Sequence, residues 1–202
     1  MSTYGNLKYD FTFPASNPSG SLVLIKSITA SASESISFVN GSGGVVLDST
    51  YKAYKFVSKN IHPSNVSAFT FQGSTNGGSS YGVTTTTTGF QAYHNEAGTG
   101  AGLVYEGSTD LAQSTSYITL NNDLKNDNDN SICSELWLFN PSSTTYVKHF
   151  MGRTTSATHN SIYFVDMYTA GYFNTTSAVD AIDFKMSSGN IDDGTISLYG
   201  LA

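Results

Sequence analysis

The side chains that most often do chemistry are sparse in this chain, and their spacing limits what they could do. The four glutamates, Glu34, Glu96, Glu106 and Glu135, include no two at i, i+2 on one strand. That spacing would set two carboxylates on one sheet face, as a glycosidase-like acid and nucleophile require. Glu135 and Trp137 form a carboxylate–aromatic pair on one strand face. His62, His94, His149 and His159 include no two at metal-binding spacing, and no H-E-x-x-H occurs. There is no Gly-x-Ser-x-Gly elbow, and Gly41-Ser42-Gly43-Gly44 lacks the lysine of a phosphate loop. Cys133, the lone cysteine, follows Ile132 in an apolar run, which predicts a buried structural thiol rather than a nucleophile. The sequence therefore predicts no catalytic residue and no cofactor.

Two patterns point to binding instead. The stretch Asn121–Asn130 is the most polar in the chain, and Asp123, Asp127 and Asp129 could offer oxygens to Ca²⁺. It misses the EF-hand spacing, so a solvated turn is the default reading and calcium the alternative. The thirteen tyrosines are the second pattern. Exposed tyrosines beside Ser, Asn and Gly make adaptable contact surfaces, and aromatic faces stack on sugars. Tyr81, Tyr93 and Tyr105 are the candidate glycan contacts. The same residues could equally cap sheet edges with the hydroxyl in water.

The elements that must position these groups are strands. Only 12% of residues are charged, while 39% are hydrophobic and 13% aromatic, against roughly 25% charged in an average soluble chain. Surface polarity must then come from Ser, Thr, Asn and Gly, which suits pleated sheets and tight turns. Apolar runs begin at Leu22, Ile36, Tyr54, Phe69, Tyr81, Leu103, Tyr117, Glu135, Tyr146, Ile162, Ile182 and Ile196, divided by turn signals. The five threonines Thr84–Thr88 favour strand, because their branched Cβ stiffens χ1. Ile182, Phe184 and Met186 alternate with Asp183 and Lys185, as in a strand buried on one side. Asp193-Gly194 signals a hairpin turn before the last run. No amphipathic helix is evident. These features predict an all-β antiparallel sandwich of jelly-roll type with about ten short strands, residues 21–202 as one domain and residues 1–20 as an N-terminal arm.

Charge excludes further classes. The formal net charge is −6, Arg153 is the single arginine and the eight lysines are scattered, which argues against nucleic acid as a partner. No apolar run approaches the ~20 residues of a membrane span. Met1–Asn6 lack a signal-peptide pattern, so synthesis in a cytoplasm is expected.

Several motifs carry a resemblance. They are Ser49-Thr50-Tyr51, Asn60-Ile61-His62-Pro63, Phe69–Tyr81, Phe139-Asn140-Pro141-Ser142-Ser143-Thr144-Thr145-Tyr146, Asn174–Asp180 and Met186–Gly200. Together they resemble small virion-associated proteins of marine tailed bacteriophages. The resemblance implies a jelly-roll sandwich on the outer surface of the particle, acting as capsid decoration or as a tail-fibre or appendage module without catalytic residues. The implied partners are the major capsid or tail proteins; sheet edges that invite strand addition predict further copies of the chain, as a trimer or higher ring, and the tyrosines make a host surface glycan the alternative partner.

Overall fold

A computed structural model describes residues 20–157 and 163–202, and all but Gly20 of the expected arm lies outside them. Twelve strands run through the described residues: β1 (Leu22–Thr29), β2 (Ile36–Val39), β3 (Ala53–Pro63), β4 (Ser67–Ser74), β5 (Thr85–Asn95), β6 (Ala101–Tyr105), β7 (Ile118–Leu124), β8 (Ile132–Phe139), β9 (Lys148–Ala157), β10 (Tyr163–Phe173), β11 (Ala181–Met186) and β12 (Ile191–Leu201). They build an eight-stranded sheet in the order β1-β12-β3-β8-β9-β10-β5-β6 and a four-stranded sheet in the order β2-β11-β4-β7. Every pairing is antiparallel. The described residues are thus all-β with two antiparallel sheets, and among them the strands number twelve where the sequence predicts about ten.

Alternation decides what each strand buries, because successive side chains point to opposite faces. In β8, Ile132, Ser134, Leu136 and Leu138 turn inward and are buried, while Cys133 stands exposed and Glu135, Trp137 and Phe139 stand half-exposed on the outer side. The expectation of a buried thiol is therefore corrected. Apolar neighbours in sequence occupy the opposite face of a strand, so Ile132 says nothing about shelter at Cys133.

The sheets meet on a cluster of phenyl rings. Phe184 of β11 lies 5.3 Å from Phe56, 5.8 Å from Phe69, 6.1 Å from Phe71 and 6.3 Å from Phe38 between ring centroids. All five rings are 1% exposed or less. Phe56 belongs to the large sheet and the others to the small one, so this cluster ties the two layers together. Edge-to-face and offset contacts add to the burial itself.

Three features differ from the sequence expectation. Asp183 is buried, although alternation had placed it in water. Ser37 and Tyr117 donate hydrogen bonds to its carboxylate, and Lys185 sits 4.1 Å above the Tyr117 ring. Tyr117, from the loop before β7, thus covers part of the second face of β11. The final hairpin turns at Ser187–Asn190 around Gly189, φ +74°, not at Asp193-Gly194. Gly194 lies inside β12 at a register shift, with φ +113°, and an added Cβ would come 2.5 Å from the Asn60 carbonyl oxygen. The Asn121–Asn130 stretch is partly strand, since β7 runs to Leu124 and the buried Asn121 bonds Ser156.

Lys148 is fully buried, and its ammonium donates to the carbonyls of Tyr146 and Thr175. Desolvation holds its pKa below the usual lysine value. Tyr54 is also fully buried, donating to the Asp48 carbonyl at 2.9 Å, and burial pushes its pKa up to about 12.

Two outcomes are expected. Phe184→Ala lowers unfolding free energy by about 3–5 kcal/mol, read from urea midpoints. Tyr54 keeps its proton in the folded state up to about pH 12, while the unfolded chain releases it near 10.0. Its contribution is therefore complete below pH 10 and lost as pH rises toward 12. Tyr54→Phe flattens the pH dependence of the urea midpoint in that window, at a cost of about 1 kcal/mol near neutrality.

Candidate functional site

Among the described residues, no second layer lies over the outer face of the eight-stranded sheet. Cross-strand register assigns its members: Lys55↔Trp137, Trp137↔Met151, Glu135↔Arg153, Arg153↔Tyr168, Met151↔Ala170, Tyr168↔Phe90 and Phe90↔Tyr105. Paired residues share a face. Leu22, Leu24, Phe90, Leu103, Tyr105, Met151 and Phe164 are large exposed apolar residues, and register sets all of them on this face. An antiparallel sheet with one wet side normally alternates apolar-in with polar-out. Here the second side carries seven large exposed apolar residues beside its polar ones, which marks a contact surface.

The polar groups on this face form a row across the strands. Lys55 pairs with Glu135 and stands 5.1 Å over the Trp137 ring. Arg153 forks onto Asp166 through Nε at 2.8 Å and Nη2 at 2.7 Å, and its guanidinium lies 5.2 Å over Tyr168. Asp166 raises the pKa of that guanidinium above the ordinary arginine value, so its charge is permanent. Tyr168 stacks on Phe90 at 4.9 Å with the rings 7° from parallel. The order of sign is cation, anion, cation, anion, followed by aromatic rings.

In the middle of this row the surface dips. Ala170 is small, and Trp137, Met151, Arg153, Tyr168 and Phe90 rise around it, leaving a hollow of about 410 Å³ that Glu135 and Thr88 also line. Trp137 and Phe139 stack with their rings 6.3 Å apart and 7° from parallel, which fixes the indole as one wall.

The structure does not bring the predicted glycan contacts together. Tyr105 stands on the outer face of the large sheet. Tyr93 pairs with Gly102, on the opposite face, and packs 5.1 Å from Tyr163. Tyr81 lies in the loop before β5, its ring half-buried beside Gly78, and burial raises its pKa. The calcium alternative is likewise dispersed. Asp123 is the last residue but one of β7, Asp127 pairs with Lys125, and Asp129 lines a polar cleft with His62 and Asp193. Among the described residues no three His, Cys, Asp or Glu side chains converge to hold a metal ion. The pair Glu135 and Trp137 was the one sequence signal that falls on the hollow. Met151, Arg153, Tyr168, Ala170 and Phe90 come from three other strands, and their meeting depends on register.

No family model matches this chain, and neither the curated proteins nor the solved structures contain a significant match to it.

Cys133 sits on this outer face, its thiol 3.8 Å from Asn60 Oδ1. A thiol-reactive chromogenic disulfide is expected to label it fully in the native protein, at a rate little changed by denaturant. Protection until unfolding would return it to the interior.

Proposed function

We propose that this chain is a non-catalytic structural protein of jelly-roll type on the outer surface of a tailed-phage particle, with capsid decoration or cement as its first role. The motif resemblance supports the particle setting. Strand order supports the jelly roll. The pairs β1–β12, β2–β11, β3–β8 and β4–β7 are those of one long hairpin rolled on itself. They distribute as β1-β12-β3-β8 in one sheet and β2-β11-β4-β7 in the other. In this reading β5–β6 and β9–β10 are two insertions that lengthen only the first sheet.

One observation carries the role. β6 is a flap at the edge of the large sheet, paired with β5 alone among the named strands, and it reads Ala-Gly-Leu-Val-Tyr. Leu103 and Tyr105 on one face are about two-thirds exposed, and Val104 on the other is 37% exposed. It is an uncharged edge strand with no register shift in its pairing. Edge strands left this bare invite pairing. The opposite edge, β1, is interrupted by a bulge between Leu24 and Lys26. The flap is therefore the element that another chain would cover, whether a further copy or a capsid or tail protein. A second reading, a tail-fibre or appendage module that recognises a host glycan, is favoured by the hollow over Ala170.

Leu103→Lys with Tyr105→Lys is expected to cut the copy number of this chain on purified particles about tenfold, equivalent to about 1.4 kcal/mol of contact energy. The thermal midpoint of the isolated protein should fall by no more than the loss of the exposed Tyr105–Asp110 and Thr88–Tyr105 hydrogen bonds allows, since both side chains are otherwise exposed. Undiminished copy number would sink the flap as the attachment element. Absence of the wild-type chain from purified particles would sink the setting.

A further inference from the structure

We infer that the hollow over Ala170 is a saccharide site, taking a short stretch of a neutral linear oligosaccharide. The inference rests on the second reading above, and it concerns the isolated protein whether or not the flap attaches to a particle.

The shape is the first argument. Trp137 on β8 and Phe90 on β5 stand three strand spacings apart, about 14 Å at about 4.8 Å each. Ala170 and Met151 lie between them. This is a shallow trough with aromatic ends, wide enough for consecutive sugar rings and too open to enclose an acyl chain. Sugars present apolar C–H faces to aromatic and thioether groups and hydroxyls to the rim.

The rim supplies the second argument. Arg153 spends two of its five N–H donors on Asp166, so the rest are available. Glu135 engages Lys55 through Oε2, leaving Oε1 as an acceptor. Thr88 lines the same hollow, its hydroxyl donating to the Tyr105 oxygen at 3.4 Å, which leaves the Thr88 oxygen as an acceptor. Lys55 with Glu135 and Arg153 with Asp166 cancel in charge, so the site attracts neither anions nor cations. That balance selects a neutral sugar over a sialylated or sulfated one. Both ion pairs also fix their own groups in place, which reduces the ordering cost of binding.

Backbone pairing supplies the third argument. The strands beneath the hollow, β8, β9, β10 and β5, are each flanked by two neighbours in the sheet. An incoming peptide strand would find no unpaired amides or carbonyls there, so a ligand must bring its own hydrogen-bonding groups. Hydroxyls do so on a compact ring.

Trp137 is the sole tryptophan, and it forms one wall of the hollow. Its fluorescence therefore reports occupancy directly. Titration of the full chain with cellohexaose, laminarihexaose and mannohexaose, with sialyllactose as the acidic comparison, is expected to give a saturable emission change with at least one neutral hexaose. Ala170→Leu fills the floor and should raise the dissociation constant at least tenfold with an unchanged thermal midpoint. Met151→Ala, at a half-exposed position, gives a second weakened variant should Ala170→Leu fail to fold. The inference is overturned by any of three results: no saturable change with the neutral hexaoses at millimolar concentration, wild-type affinity in both folded variants, or preferential binding of sialyllactose. Such a failure would leave particle attachment through the flap intact. Conversely, lost attachment in the Leu103→Lys, Tyr105→Lys variant with sugar binding preserved would overturn only the structural role.

Discussion

A pleated strand has two faces, and in this molecule the number of strands in the two layers is unequal. Four strands cannot cover eight. The small sheet packs on the part of the large sheet that carries Phe56, and the Phe184 cluster seals that contact. The contact continues through Phe71 against Phe150 and Phe173 to the inner sides of β9 and β10, while the reverse face must be made compatible with water or with a partner. The lateral row from Lys55 through Glu135, Arg153, Asp166, Tyr168 and Phe90 does part of this work. It ties neighbouring strands by side chains where no second layer presses on them.

That row also explains why so few charges suffice. The chain holds a single arginine, and it is spent where a planar fork can bind a carboxylate and lie over a ring together. Exposed ion pairs contribute little each. Their effect here is geometric, holding the indole and phenol walls at a defined separation. The small sheet solves its own exposure differently. Tyr117, from the loop before β7, covers part of it, and Asp183 lies there, held by Ser37 and Tyr117. Lys148 plays a comparable part at the end of β9, its ammonium joining the loops of Tyr146 and Thr175.

The strands were legible in the sequence because alternation and threonine stiffness are local. Thr85 and Thr87 do turn inward from β5, and Ile182, Phe184 and Met186 do face the core. What lay beyond local reach was the second neighbour of each face. Asp183 looked solvated because nothing near it in sequence foretells a loop from residues 114–117. Cys133 has apolar company in sequence but not in space, because Ile132 points to the other face of β8. The Asp193-Gly194 pair has the residues of a tight turn, yet Gly194 is needed where the backbone of Asn60 leaves no room for a Cβ. Tyr81, Tyr93 and Tyr105 looked like one set, and register parts them among three surfaces. The hollow was half visible, through Glu135 and Trp137. Its other walls stand on β9, β10 and β5, and only pairing brings them in.

The position of β12 carries a consequence in time rather than in space. Residues 191–201 pair with residues 22–29 on one side and residues 54–63 on the other. The large sheet is thus two disconnected pieces until this late segment inserts between β1 and β3. Contacts of such long sequence separation close slowly, and a growing chain would expose the unpaired edges of β1 and β3 throughout synthesis of the intervening segments. In a protein so arranged, one segment closes two strand edges at once, and both stay open to wrong partners until it is in place.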